Sequence, residues 1–272
     1  MRLLLSCLAL AGLSFAAPPV LPAPNHATSE LIFGGHRANQ GNFPYYVYLH
    51  SCGGSLITPK HILTAAHCIL DSTLGNTAVM GLTDNEEYEK QEGVQIRTIV
   101  KISGHKEWND TAKHNDIAIL EVDKPFEITR YVQLIDIKSD DTELQKLYWT
   151  VAAGFGMSGV KKNDDGRPTG IWPRYLLYTY IPLVDEKYCA KVWWQYYWDK
   201  FICAGAEKQG VGSGDSGGPL AVNSDGKYFQ IGVVAFSAIG FYDQAKIPAV
   251  YTRTASYCDW MTENTDGAFK CI

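Results

Sequence analysis

The sequence has no C-x-x-C cysteine pair, little net charge and no long apolar run after its amino terminus, and each of these absences argues against a class of function. No C-x-x-C motif occurs, which argues against a zinc site or a redox dithiol. The formal net charge of −5 is mild and argues against nucleic acid as a partner. After the amino-terminal run, no segment approaches the ~20 apolar residues that a membrane span needs. We therefore expect no cofactor, metal, nucleic acid or membrane among the partners.

The amino-terminal apolar run has the features of a secretory signal. It covers residues 3–17 behind Arg2 and ends in small residues, with a Ser-Phe-Ala cleavage signature. At about 15 residues it is shorter than a membrane helix. We expect cleavage after Ala16, which predicts a signal peptide over residues 1–16 and a secreted, extracellular protein.

The number of cysteines agrees with an oxidising compartment. Of the 7 cysteines, Cys7 leaves with the signal peptide and an even set remains. An even set in an exported chain implies disulfides, although spacing alone leaves 15 possible pairings. The remaining cysteines are Cys52, Cys68, Cys189, Cys203, Cys258 and Cys271.

Short β-branched and aromatic runs separated by turn residues follow a proline-rich segment at residues 18–30. They do not alternate with long helical patterns, so they predict an all-β sandwich or barrel pair. A polar loop is expected at residues 163–170, and the best helix candidate is terminal, at about 256–263. The clearest strand candidates are residues 45–50, 94–103, 117–122, 175–183, 228–236 and 250–252.

The strongest local candidate for chemistry is the glycine-flanked Ser216 in residues 214–219 (GDSGGP). No histidine follows Ser216, which excludes the α/β-hydrolase order, and no aspartate precedes His67, which excludes the subtilisin-like order. The order His, Asp, Ser remains, because a serine needs an imidazole base and the imidazole needs an acid to orient it. The residues alone leave several candidates open: His61, His67, His105 and His114, followed by Asp110, Asp116 and Asp123.

Five segments resemble the signature segments of the trypsin/chymotrypsin family of serine proteases. They occur in the family's order and at family-like spacing, and the resemblance covers nearly all of residues 32 to about 263. The segments are residues 32–35 (IFGG), 52–56 (CGGSL), 64–68 (TAAHC), 115–120 (NDIAIL) and 214–220 (GDSGGPL).

The resemblance implies roles for the residues that match these motifs. Ser216 is the implied nucleophile, His67 the general base and acid, and Asp116 the residue that orients the imidazole. The backbone N–H groups of Gly214 and Ser216 would form an oxyanion hole. A protein that had lost catalysis would normally show a replaced member of this triad, and none is replaced here.

The fold that the resemblance implies is a pair of six-stranded antiparallel β-barrels with a short C-terminal helix. The peptidase domain is expected over residues 32–272, with an N-terminal barrel at about 32–140 and a C-terminal barrel and helix at about 141–272. Disulfides Cys52–Cys68 and Cys189–Cys203 match family bridges, and the remaining Cys258 and Cys271 are expected to pair. Gly212 replaces a common cysteine, and Thr150 and Val222 occupy both ends of another missing bridge.

The implied specificity pocket carries no acidic residue, so its character is closest to chymotrypsin-like members. Gly210 is expected to leave depth for an aromatic or leucyl side chain, and Ser237 to narrow the entrance. An elastase-like preference for small residues is the alternative if Val211 and Ser237 fill more of the pocket. Ala235 also replaces a serine that commonly hydrogen-bonds the catalytic aspartate. The expected pocket residues are Gly210, Val211, Ala235, Phe236, Ser237 and Ala249.

The resemblance further implies a zymogen. Its propeptide would be residues 17–31, and cleavage after Leu31 would release the amino group of Ile32 to pair with Asp215. Leu31 gives a trypsin-like activator no basic residue to recognise, which favours activation by a chymotrypsin-like protease, including another copy of this enzyme.

Three further segments, an aromatic run, an acidic segment and a glycosylation sequon, are considered for their possible functions. The aromatic run 193–198 is either a shelf for substrate residues or local packing around a disulfide. The acidic residues of 84–89 resemble the family's calcium loop, but Leu82 stands where its first carboxylate belongs, so a solvated acidic turn is expected. Residues 109–111 (NDT) form a glycosylation sequon at Asn109.

Together these features predict a secreted, monomeric serine endopeptidase that prefers apolar or aromatic residues before the scissile bond. Its partners would be protein or peptide substrates and protease inhibitors. A non-catalytic binding protein on the same fold is the alternative outside the enzyme class.

Overall fold

A computed structural model describes residues 34–70, 75–238 and 243–272. The expected signal peptide, the propeptide and Ile32 lie outside the described residues. The strands are β1 (His36–Arg37), β2 (Tyr46–Tyr48), β3 (Gly53–Thr58), β4 (His61–Thr64), β5 (Thr77–Met80), β6 (Gln95–Gly104), β7 (Ala118–Val122), β8 (Trp149–Gly154), β9 (Gly159–Lys162), β10 (Pro168–Ile171), β11 (Leu177–Pro182), β12 (Phe201–Ala204), β13 (Pro219–Ser224), β14 (Lys227–Phe236) and β15 (Ala249–Arg253).

The helices are short and connect or follow the strands. Two 3-10 helices cover Tyr88–Lys90 and Thr254–Tyr257. The α-helices are α1 (Ala66–Leu70), α2 (Thr142–Gln145), α3 (Glu186–Val192) and α4 (Cys258–Asn264).

The first half of the chain closes a six-stranded antiparallel barrel. Its strand order is β2-β3-β4-β7-β6-β5, with β5 pairing back onto β2. Inward-pointing aliphatic side chains such as Leu56, Ile62 and Leu120 are fully buried and form its core. Closure satisfies every strand edge within the barrel, and it confirms the first of the two expected barrels.

The second half forms a curved antiparallel sheet in the order β1-β11-β8-β13-β14-β15-β12. The segment after β11 approaches β12 at the far end of the sheet, since Leu183 bridges Ala204 and Val184 N donates to Cys203 O at 2.8 Å. Strand β1 comes from the segment before the first barrel and adds to β11 at the edge. The all-β fold class with a short C-terminal helix is confirmed.

The strand predictions hold, and one loop prediction is partly wrong. Each of the six predicted runs coincides with a strand, and the terminal helix is α4, on which Met261 is fully buried. The expected loop at 163–170 is instead the end of a hairpin, because Pro168–Ile171 pairs with Gly159–Lys162. This hairpin lies outside both sheets and is mostly exposed, so its residues lack the apolar alternation that marks buried strands.

Three disulfides join cysteines that are close in sequence. The structure forms Cys52–Cys68, Cys189–Cys203 and Cys258–Cys271, which are the pairs that the resemblance and elimination had implied. The last bridge ties the C-terminal tail to the start of α4. None of the helices among the described residues is both long and apolar enough to cross a membrane.

Candidate active site

His67 lies at the second position of α1, directly after the end of β4. Its neighbour Cys68 is fully buried and bonded to Cys52, so the helix is anchored to the chain just before β3. The imidazole is 29% exposed and its Nδ1 lies 2.7 Å from Asp116 Oδ2. The local fold therefore leaves the ring partly open to the cleft and holds one nitrogen against an acid.

Asp116 precedes β7 and its side chain is almost completely buried. Besides the contact with Nδ1, its Oδ1 accepts the backbone N–H of His67 at 2.9 Å. Its own carbonyl oxygen accepts from Thr252 Oγ1 of β15 at 2.9 Å, so the second sheet holds the first sheet's aspartate in place. Two hydrogen bonds to one carboxylate fix the imidazole orientation and favour the tautomer with the proton on Nδ1.

Ser216 lies in the turn before β13 and packs against the segment that carries His67. Its carbonyl oxygen accepts from Gly53 N at 2.8 Å. Gly217 has φ +75°, and a Cβ there would lie 2.6 Å from Gly53 O and 3.1 Å from Ala65 N. A glycine is thus required both for the backbone turn and for the close approach of the two barrels.

The hydroxyl of Ser216 is partly exposed and, within the described part of the chain, is not hydrogen-bonded to His67. Catalytic hydrogen bonds are often long in unliganded enzymes and shorten when substrate binds. The structure therefore brings together the segments that carry the three predicted residues. We expect the hydrogen bond between Ser216 and His67 to form when substrate binds.

Two backbone N–H groups at the Ser216 turn, those of Gly214 and Ser216, are the predicted oxyanion donors. Gly214 has φ +93°, and among the described residues neither its N–H nor that of Ser216 donates to an acceptor. The ring of Trp172 lies against Gly214, 2.9 Å from where its Cβ would be. Trp172 is 59% exposed and was missed by the sequence interpretation, since it follows the exposed strand β10, which carries no motif.

Asp215 is buried beneath this turn. Its Oδ1 accepts Gly156 N and its Oδ2 accepts Gly212 N, each at 2.8 Å. Burial raises the pKa of the Asp215 carboxyl to about 6, and the two neutral donors only partly oppose that rise. Ile32, its expected partner, lies outside the described residues.

The predicted pocket residues fall in three segments of the chain and differ in burial. Gly210, Val211, Ala235 and Ala249 are buried, and Phe236 and Ser237 are partly exposed. The space left by the missing side chain of Gly210 is occupied by the side-chain amide of Gln244, which a Cβ at position 210 would overlap. Gln244 was missed because it lies in a loop without a recognisable motif.

Most of the aromatic run 193–198 packs locally, and the substrate shelf stays a prediction. Trp193 donates from Nε1 to Pro248 O at 2.9 Å and contacts Phe236 edge to face, with ring centroids 5.1 Å apart. Trp198 stacks on His114 at 4.6 Å, whereas Trp194 is 73% exposed. Most of the run is therefore packing that supports the pocket wall, and one indole faces solvent.

An arginine pairs with the acidic loop, in which Glu86 and Glu87 remain largely exposed to solvent. Arg174 donates from Nε and Nη2 to Asp84 at 2.7–3.0 Å, and also pairs with Glu86 and Glu87. The guanidinium holds the pKa of Asp84 below its ordinary value. Leu82 is buried, as expected for a position that supplies no ligand.

Few described residues could ligate a metal. The one group of suitable side chains among them is Cys52, His67 and Cys68, and its sulfurs are joined in a disulfide. A disulfide cannot supply the thiolates that bind zinc. Asn109, the sequon residue, is exposed and its Oδ1 accepts Ala112 N at 2.8 Å.

Comparisons with known proteins agree with this geometry. The Trypsin family model matches residues 32–261. Chymotrypsin-C from Rattus norvegicus is 33% identical over 270 residues, covering 93% of this chain and 95% of the relative. Chymotrypsin-C from Mus musculus is 32% identical over 269 residues with the same coverage. The chain is therefore a serine endopeptidase that acts on proteins or peptides, and it belongs to the trypsin family.

Proposed function

We propose that this protein is an extracellular, chymotrypsin-like endopeptidase, made as a zymogen, that cleaves after apolar or aromatic residues through His67, Asp116 and Ser216. The observation that carries the proposal is the buried Asp116 carboxylate, which binds both the backbone and the ring of His67. A carboxylate in that position has the effect required of the third member of a triad.

The reaction follows from this arrangement. Ser216 Oγ attacks the scissile carbonyl carbon while His67 Nε2 takes its proton. The resulting oxyanion is held by the free N–H groups of Gly214 and Ser216, each worth about 3 kcal/mol in such sites. The C–N bond then breaks as His67 protonates the leaving amine. Water, activated by the same imidazole, hydrolyses the acyl-enzyme and regenerates Ser216.

The substrate preference rests on an uncharged pocket. A Lys or Arg side chain would be buried without a carboxylate among Gly210, Val211 and Ala249, which costs several kcal/mol. Burying an apolar side chain there instead contributes about 1.5–3 kcal/mol. Similarity to proteins named chymotrypsin-C supports the same preference. An elastase-like preference is the alternative if Val211 and Ser237 narrow the cleft.

Activation would couple cleavage after Leu31 to the buried Asp215. The new ammonium of Ile32 would replace two neutral donors with a charge partner and so order the adjacent Gly214 turn. Leu31 suits the enzyme's own proposed pocket, which supports self-activation. The released propeptide, residues 17–31, contains no cysteine and would leave as a free peptide.

The remaining parts of the proposal concern the secreted protein as a whole. It would consist of a signal peptide at 1–16 and a monomeric peptidase domain at 32–272, with barrels divided near residue 140. The exposed Asn109 would carry a glycan, and protease inhibitors would bind the substrate cleft.

Three measurements test this proposal. A fluorophosphonate should label Ser216 in the activated enzyme but not in Ser216→Ala. Amino-terminal sequencing of active enzyme should begin Ile32-Phe33-Gly34-Gly35. A peptide library should show Phe, Tyr, Leu or Met before the cut, ahead of Arg and Lys by well over tenfold. Faster cleavage of arginyl peptides would refute the pocket assignment.

A further inference from the structure

Gln244 is a buried polar residue at the base of the proposed pocket. It lies ahead of β15 and is 2% exposed. Its Nε2 donates to Val211 O at 2.7 Å, which fixes the amide orientation because only the nitrogen can donate to a carbonyl. Its Oε1 is buried and has no hydrogen-bond partner among the described residues. The side chain therefore presents an unpaired neutral acceptor.

Two glycines make room for this side chain. A Cβ at Gly205 would lie 2.6 Å from Gln244 Cβ and 2.7 Å from its carbonyl oxygen. A Cβ at Gly210 would overlap Oε1 and the amide carbon. The amide oxygen of Gln244 thus occupies the position of a Cβ on residue 210. The proposed pocket is therefore about as deep as one that has a short polar side chain at position 210.

The Gln244 amide also connects two loops that lack a covalent link. Gly212 replaces a cysteine, and the hydrogen bond to Val211 holds the segment before β15 against the segment before Ser216. Gln244 therefore has a structural contact at Nε2 and a free contact at Oε1, and a test must separate the two.

We propose that Gln244 determines specificity by selecting tyrosine over phenylalanine before the scissile bond. This inference rests on the proposed function, since it assumes that Gly210 lies at the floor of the substrate pocket. A tyrosine hydroxyl at the far end of the side chain donates to Oε1. A phenylalanine ring fills the same space but has no donor, so it leaves Oε1 unpaired as in the free enzyme, and only tyrosine gains the hydrogen bond.

The first measurement uses the unmodified, activated enzyme and two peptides that differ only in Tyr or Phe before the cut. We expect kcat/KM for the tyrosyl peptide to exceed that for the phenylalanyl peptide about five- to tenfold, the factor that one ordinary hydrogen bond gives. Equal values would overturn the inference while leaving the aromatic preference intact. Cleavage of neither peptide, with cleavage after alanine, would instead refute the proposed function.

Gln244→Met keeps the length of the side chain and removes the acceptor. We expect the Tyr/Phe ratio to fall to about one, because the Oε1 acceptor is lost. The variant also loses the Nε2 bond to Val211 O, which should affect both peptides alike. Gln133→Met is the matched control, since Gln133 also donates its amide to a backbone carbonyl but lies in the first barrel. Its Tyr/Phe ratio should equal that of the unmodified enzyme. A ratio unchanged in Gln244→Met would show that the role of Gln244 is only structural.

Gln244→Glu provides a second variant with the opposite electrostatic effect. A carboxylate at this position should raise kcat/KM for an arginyl peptide relative to the phenylalanyl peptide at least tenfold. No rise in a folded variant, judged by an unchanged melting temperature, would place the side chain away from the substrate and overturn the inference.

Discussion

The two barrels hold their halves of the active site in different ways. In the N-terminal barrel, His67 is fixed by a disulfide beside it and by two hydrogen bonds to one buried carboxylate. In the C-terminal half, the Ser216 turn is held by glycine conformations and by hydrogen bonds to the buried Asp215, and the pocket segment by a neutral hydrogen bond from Gln244. A disulfide therefore lies beside the base, whereas the nucleophile depends on backbone conformation and on a buried carboxylate that accepts only neutral donors among the described residues.

This difference indicates where activity is regulated. A closed barrel with a nearby disulfide can hold His67 and Asp116 in one geometry before activation. The turn around Ser216 rests on the buried Asp215, whose partner is created only by cleavage after Leu31 in the proposed mechanism. Bridges that are common in the family are also missing on this side, at Gly212 and at Thr150 and Val222. Regulation is therefore expected to act on the nucleophile and the pocket.

The largest expected effect comes from removing either half of the catalytic pair. Ser216→Ala and His67→Ala should each lower kcat by several orders of magnitude, by roughly 10⁶ if they behave as in other triads. The double variant should be no worse than either single variant, because the residues act as a unit. Single-turnover kinetics on activated protein, with melting temperature as a folding control, measures this. Near-normal turnover in either variant would refute the triad.

The next prediction compares how much two contacts stabilise the protein: the Cys52–Cys68 disulfide in the first half and the Gln244–Val211 hydrogen bond in the second. Replacing Cys52 and Cys68 together with alanine should lower the free energy of unfolding by about 3 kcal/mol, since the bridge closes a loop of 16 residues. Gln244→Met should cost only about 1 kcal/mol, the value of one neutral hydrogen bond. Urea unfolding of the three proteins gives both numbers. A larger cost for Gln244→Met would reverse the comparison.

Asp215 makes the stability of the precursor depend on pH. Its pKa is about 6 in the fold against an ordinary value of 3.8, so between these values the folded precursor binds more protons than the unfolded chain. Stability should therefore fall by up to about 3 kcal/mol as pH rises from about 4 to about 6, and then level off. Cleavage after Leu31 supplies an ammonium partner, so the mature protein should lack this fall.

Melting curves of Ser216→Ala protein, cleaved by another chymotrypsin-like protease or left uncleaved, test the pH effect. The difference in melting temperature should widen from pH 4 to pH 6.5. Asp215→Asn should remove the widening, because it leaves no group to titrate. Parallel curves for the cleaved and uncleaved forms would contradict the Ile32–Asp215 pair.

The smallest effect concerns the arginine-filled acidic loop, which joins the two halves. Arg174 pairs with Asp84, and the backbone N–H groups of Asn85 and Leu176 add hydrogen bonds between the same two segments. Arg174→Ala should lower the melting temperature by a few degrees, because the acidic side chains then repel each other. Arg130→Ala, which removes the exposed pair with Glu92 and a surface contact with the Tyr131 ring, should have a much smaller effect.

A chelator provides the matching test of the same loop. Because Arg174 already supplies positive charge among Asp84, Glu86 and Glu87, a calcium chelator should not change the melting temperature of the unmodified protein. A clear fall on chelation would mean that a metal, and not the arginine, stabilises the loop.

The sequence by itself determined the all-β fold, its strand positions and the order of the candidate triad. Strand runs such as 117–122 are visible because buried strands carry β-branched residues between turn signals, which is local information. His67 and Ser216 stand in short motifs for the same reason, since the turns that present them require specific neighbours. The hairpin of β9 and β10 was missed because exposed strands need no such pattern.

Only the tertiary structure decided what fills the spaces between these segments. Arg174 reaches Asp84 across 90 positions of sequence, and Thr252 reaches Asp116 across 136. Gln244 takes the space left by Gly210, a contact between two loops that no local spacing encodes. Side-chain contacts of this kind depend on how the two halves pack, and packing is a property of the whole fold. The sequence therefore predicted the catalytic residue types but not the side chains that fill the pocket.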